Sequence, residues 1–131
     1  MKITLVEVFR GERAWDLLKG TTPANKPSKT GFDYILVRVK LELSARRPGR
    51  ECSLELRPEQ FAAFSADGKE YEAPSIVIPK PGLSGNLRSG QSFEGWRAFL
   101  VDQGDGKPLM AYDPASGGGM SRGKIVWFQL Y

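Results

Sequence analysis

Phe32-Asp33-Tyr34-Ile35-Leu36-Val37-Arg38-Val39-Lys40-Leu41-Glu42-Leu43-Ser44 decides the fold class. Ile35, Val37, Val39, Leu41 and Leu43 alternate with Leu36, Arg38, Lys40 and Glu42. Successive side chains of a strand point to opposite faces. A period of two therefore predicts a strand with the first set on a core and most of the second in water.

Toward the C-terminus, Arg46-Arg47-Pro48-Gly49-Arg50 follows, and its central Pro-Gly reads as the tip of a hairpin. Cys52 to Arg57 repeats the alternation with Leu54 and Leu56 inward, and Pro58 stops that strand or marks an edge. Phe61 and Phe64 carry an apolar stretch to Asp67-Gly68, a strong hairpin signal, with Tyr71 on the return strand. Ser75 to Ile78 is expected as a short strand between prolines, and Pro79 to Gly90 as a loop. Ser92 to Val101 is a further strand, with a shift of phase near Gly95 that predicts a bulge. Leu109 to Tyr112 and Lys124 to Tyr131 complete the set.

Toward the N-terminus, Lys2 to Phe9 is rich in β-branched and apolar residues and reads as a strand. The adjacent Leu5 and Val6 break its alternation, as a bulge or burial on both faces would. Glu12 to Lys19 is the one helix: Ala14, Leu17 and Leu18 share a face at i, i+3 and i+4. Gly20 is placed to end it in the left-handed conformation, and the loop from Thr21 to Gly31 holds Pro23 and Pro27. The whole is an all-β chain of about seven or eight short strands with one N-terminal helix over about residues 12–19. With no βαβ alternation, that pattern predicts an antiparallel β-sandwich. Residues 1–131 read as one domain.

The composition excludes much chemistry. There is no histidine, which removes the commonest general base and metal ligand together. One cysteine, Cys52, allows neither an internal disulfide nor a thiolate zinc site. Gly82-Leu83-Ser84-Gly85-Asn86 imitates a nucleophile elbow, but Ser84 has no histidine to activate it. Gly118 to Lys124 has phosphate-loop spacing, yet Ile125 stands where a magnesium-binding hydroxyl is needed. Asp102-Gln103-Gly104-Asp105-Gly106 resembles a calcium loop with glycines at two ligand positions and reads as a turn. Glu12 and Asp16 sit i, i+4 on the helix without a perturbed neighbour and read as solvated. No catalytic, cofactor or metal residue is expected.

The formal net charge is +4, from 19 basic and 15 acidic side chains. The basic residues are scattered except at Arg46, Arg47 and Arg50, which are the candidate surface-binding residues. No apolar run approaches the roughly 18–20 residues of a membrane-spanning helix. Met1 to Val6 is too short and polar for a secretory signal. Read as it stands, the chain is expected to be soluble and to carry no address.

Several stretches carry a family likeness: Phe9 to Leu18, Gly31 to Val39, Asp67-Gly68-Lys69-Glu70-Tyr71, Phe93 to Phe99, and Ala111-Tyr112-Asp113-Pro114. In order and spacing they resemble an uncharacterised bacterial family of telokin-like immunoglobulin domains, the structural group of the mycobacterial immunoprotective extracellular antigen. The resemblance covers nearly the whole chain, and its motifs are structural. It implies an immunoglobulin-like sandwich, usually outside the cytoplasmic membrane and often behind a lipoprotein signal. It brings no catalytic residues. The implied function is a non-enzymatic binding or scaffolding module for a protein or cell-envelope component, with a homodimer through an edge strand as one form. The rivals are a basic nucleic-acid-binding domain and a small-ligand carrier. A carrier would show a well-formed apolar pocket with a few convergent polar groups.

Overall fold

A computed structural model describes residues 2–44, 53–114 and 125–131. In chain order the elements are β1 Lys2–Arg10, α1 Glu12–Thr21, β2 Phe32–Glu42, β3 Ser53–Leu56, β4 Phe61–Phe64, β5 Gly85–Arg88, β6 Ser92–Asp102, β7 Leu109–Tyr112 and β8 Val126–Gln129. Every ladder is antiparallel. One sheet has the order β1-β2-β6, a second β4-β7-β8, and β3 with β5 makes a two-stranded ribbon. The fold is an all-β sandwich with one short helix.

The alternation along β2 does what its period requires. Ile35, Val37, Val39 and Leu41 face the second sheet and pack with Phe61, Ala63, Met110 and Tyr112. The ribbon adds Leu56 and Leu87 to this core. The other face of β2 departs from the sequence reading. Leu36 is fully buried, and with Tyr34 and Ala98 it lies under Ala14 and Leu18 of α1. Ile76 and Ile78 flank that patch. The molecule therefore has three layers, and β2 is buried on both faces along Tyr34–Val37.

Gly11 makes the turn from β1 into α1 at φ 70°, where an L side chain would be strained. Its N–H donates to the Tyr34 carbonyl at 3.0 Å, and its carbonyl accepts the first helical bond, from Trp15 N at 2.9 Å. The helix runs past its expected end. Gly20 stays inside it, Thr21 Oγ1 donates back to the Leu17 carbonyl, and the extended Thr22 ends it. Leu17, expected on the core face with Leu18, is 40% exposed.

The bulge foreseen in β1 is present, with a register shift between Leu5 and Glu7. The bulge expected at Gly95 is not: β2 and β6 pair without a shift from Phe32↔Asp102 to Glu42↔Ser92. Gly95 instead lets another backbone come close. A Cβ there would stand 2.9 Å from the Gly82 carbonyl oxygen. Just beyond it, Trp96 N–H donates to the Pro81 carbonyl.

Three further expectations are corrected. Ser75 to Ile78 forms no strand, although Ile76 and Ile78 pack as one would. Within the expected loop from Pro79 to Gly90 lies β5, which pairs with β3. That pairing removes the predicted hairpin, because β3 runs beside β5 and not beside β2. Pro58 opens a 3-10 turn, Pro58–Gln60. The Asp67-Gly68 turn is present, with Gly68 at φ 91° and Phe64 bridged to Glu70, so the return strand is a single bridge.

Candidate functional site

The two sheets differ in what covers their outer faces. On the first sheet, α1 covers Tyr34, Leu36 and Ala98. Beyond the helix the same face is charged and paired. Arg38 Nη2 lies 3.1 Å from Glu7, and its Nε lies 2.9 Å from Glu94 but off the line a shared proton needs, so the second contact is ionic. The guanidinium also stands 5.5 Å from the centre of the Trp96 ring, which in turn stacks with Phe9.

On the second sheet no helix lies over the outer face among the described residues, although Ala111 on that face is only 4% exposed. Met110 and Phe128 pack inward, so the alternate positions face out. The ladders align Ala62, Ala111 and Trp127 in one row and Phe64, Leu109 and Gln129 in the next. None of the six carries a charge. Phe64 and Trp127 meet edge to face at 5.2 Å, the geometry ring quadrupoles favour. Trp127 is nonetheless 52% exposed. Small alanines form a floor beside these rings. β8 is also an edge strand, and Ile125, Val126 and Tyr131 are exposed on or beside it. Covering an apolar patch of this kind with a partner lowers the free energy by about 25 cal/mol per Å² removed from water.

Chemistry at the other sites is quiet. An open cleft holds Asp67, Tyr71, Asp102 and Asp105. Its oxygens are occupied by the turn itself: Asp102 accepts from Gly104 N–H, and Asp105 accepts from Lys107 N–H and from the Tyr71 hydroxyl at 2.7 Å. Burial, and then this bond to Asp105, push the Tyr71 phenol up to about 12. A phenol held that firmly is a poor proton donor near neutral pH. Among the described residues no group of three or more His, Cys, Asp or Glu side chains is placed to hold a metal ion. Ser84 is exposed and leads into β5, not into a helix. Glu12 and Asp16 are both exposed on α1.

The sequence-stated candidates Arg46, Arg47 and Arg50 lie outside the described residues, as do Cys52 and the Gly118 to Lys124 segment. The exposed face was missed by sequence reasoning. Its signal was Trp127 and Gln129 alternating with Phe128 and Leu130, but a tryptophan in a strand reads first as core.

No family model and no curated protein matches the chain. Among solved structures it is similar to ycdA of Bacillus subtilis, described as a "putative lipoprotein", with a TM-score of 0.64 and 17% identity. The match covers 97% of this chain and 35% of that one, so the chain spans about a third of that protein's length. At this identity the likeness concerns the fold alone. No helix among the described residues is long and apolar enough to cross a membrane.

Proposed function

We propose that the chain is a non-enzymatic, immunoglobulin-like binding module of the cell envelope. In this reading it docks a protein partner on the outer face and free edge of the β4-β7-β8 sheet. One observation carries it: six aligned positions without a charge, the buried Ala111 and the half-buried Ala62, Phe64 and Leu109 among them, with Trp127 half in water at their edge. Aromatic side chains on an uncharged surface are typical of the centre of protein interfaces. The immunoglobulin-like reading is supported by the pairing of the first, second and sixth strands against the fourth, seventh and eighth. Immunoglobulin sandwiches pair their strands in the same way. The telokin-like resemblance and the name of the Bacillus subtilis neighbour support an extracytoplasmic place.

The test is cross-linking in envelope fractions with the wild-type chain, Trp127→Lys and Glu12→Lys. The first substitution puts a charge on the open face; the second changes the opposite side of the molecule. The reading expects a partner cross-linked by wild type and Glu12→Lys and lost with Trp127→Lys. Equal capture by all three, or fractionation of the native protein with the cytosol, would refute it. A salt titration with DNA and RNA tests the nucleic-acid rival, whose affinity would fall steeply with salt.

A further inference from the structure

Arg97 occupies a position that an arginine seldom takes in a sandwich. It pairs in register with Val37 on β2, so its side chain leaves β6 toward the space between the sheets. A guanidinium offers five N–H donors and stays charged at any ordinary pH. Here Nε donates to the Phe61 carbonyl at 3.3 Å, and the guanidinium carbon stands 5.4 Å from the Phe99 ring centre. Among the described residues the two terminal nitrogens have no acceptor and no ion-pair partner. Burial pulls the pKa of the group down, and nearby Glu59 offsets only part of that. The charge is partly desolvated and incompletely paired within the protein, and its terminal nitrogens are left open to the cleft.

What opens onto Arg97 is a half-enclosed cleft of about 200 Å³ between β4 and β6. Ala62, Tyr71 and Ala73 present its accessible apolar surface, over the buried Phe61, Ala63 and Phe99, and Glu59 and Glu70 stand exposed among its lining residues. Each feature restricts the ligand. The planar fork of an arginine matches a carboxylate through two parallel bonds. One positive and two negative groups leave the cleft with a net negative charge, which disfavours a multiply charged anion such as phosphate. A carboxylate carrying its own cation fits both signs at once. Aromatic and alanine walls suit an apolar side chain. Clefts for drug-sized ligands run from about 300 Å³ upward, so this ligand is smaller.

We infer that the Arg97 cleft binds a small apolar amino acid as its zwitterion, with the carboxylate on Arg97 and the ammonium toward Glu59 and Glu70. The experiment is a titration of the isotope-labelled protein with L-leucine, followed by amide shifts in the proton–nitrogen spectrum. Leucinamide, which lacks the carboxylate, and N-acetyl-leucine, which lacks the ammonium, are run in parallel. The expected result is saturable shifts at Tyr71, Ala73 and Phe99 with leucine, and at least about tenfold weaker binding of the other two compounds, about 1.4 kcal/mol each. Arg97→Lys keeps a charge on a long stem but loses the fork, and weakens leucine by a similar factor. No saturable shift with leucine up to about 10 mM, a dissociation constant beyond the weak end of specific binding, overturns the site. Equal binding of either blocked compound overturns the zwitterion. Neither outcome touches the sheet-face reading, whose six positions include none of the cleft's charged groups.

Discussion

Asn25 joins two segments that no sheet joins. It is buried, its Nδ2 donates to the Leu18 carbonyl at 2.8 Å and to the Val77 carbonyl at 2.7 Å, and its Oδ1 accepts from Val77 N–H at 2.8 Å. The side-chain amide thus stands in for a neighbouring strand and fixes the Ile76 and Ile78 side chains against the helix layer. Asn25→Ala removes all three bonds, and a buried group left without a partner costs about 1–3 kcal/mol. The expected loss is about 2–4 kcal/mol in urea unfolding. Asn25→Asp should be no better, because a carboxylate keeps the bond from Val77 N–H but faces two carbonyl oxygens. Recovery of most of the stability by Asp would disprove this account. Tyr71 supplies a second prediction. Burial, then the bond to Asp105, raise its phenol to about 12 from an ordinary 10.0. The fold therefore holds that proton more tightly than the unfolded chain does. Its stabilisation is whole below about pH 10 and is lost as pH climbs through 12. Asp105→Asn should move the phenol's ultraviolet titration downward; an unmoved curve would place the cause elsewhere. Neither residue's role was legible in the sequence. Asn25 bonds across a separation of 52 residues, and Asp105 reaches 34 residues back to Tyr71, whereas turn and strand signals are local.

At the scale of elements, the sequence was read best where burial and period agree. β2 and β7 lie where alternation and length put them, and β1 bulges where Leu5 and Val6 are adjacent. Period reports which side chains are hidden and says nothing of what the backbone pairs with. That is why Ser75 to Ile78 looked like a strand: Ile76 and Ile78 are packed, but the backbone there is held by Asn25. For the same reason β5 was hidden among prolines and glycines, with only Leu87 buried. The helix shows a finer limit. Leu17 and Leu18 both fit an apolar face by spacing, and only the layer beneath decides between them. Leu18 is fully buried while Leu17 is 40% exposed. Leu18→Ala should cost about 2–5 kcal/mol, as buried leucines do. Leu17→Ala should stay within about 0.5 kcal/mol, as at an ordinary surface position. Denaturation midpoints of the two variants check the phase of the helix directly; comparable losses would show that it is rotated.

At the scale of the molecule, β2 ties the layers into one cooperative unit. Ile35 and Val37 belong to the core between the sheets, while Tyr34 and Leu36 belong to the core under α1. These four residues are consecutive, so the helix-side core cannot open widely without disturbing the strand on which the other core is built. A small domain whose cores share one backbone should unfold in a single step. The three tryptophans make this testable. Trp15 and Trp96 pack against the helix-side core, and Trp127 lies on the outer face of the opposite sheet. Fluorescence therefore reports two of its three rings from the helix layer, whereas far-ultraviolet circular dichroism is dominated by the strands. The expected outcome is one urea midpoint by both probes, in wild type and in a Trp127→Phe variant whose emission comes from the helix layer alone. A fluorescence transition at lower urea than the sheet signal would mean that α1 peels away first. The outer face of β2 would then be a second apolar surface, latent under α1, beside the outer face of β4-β7-β8.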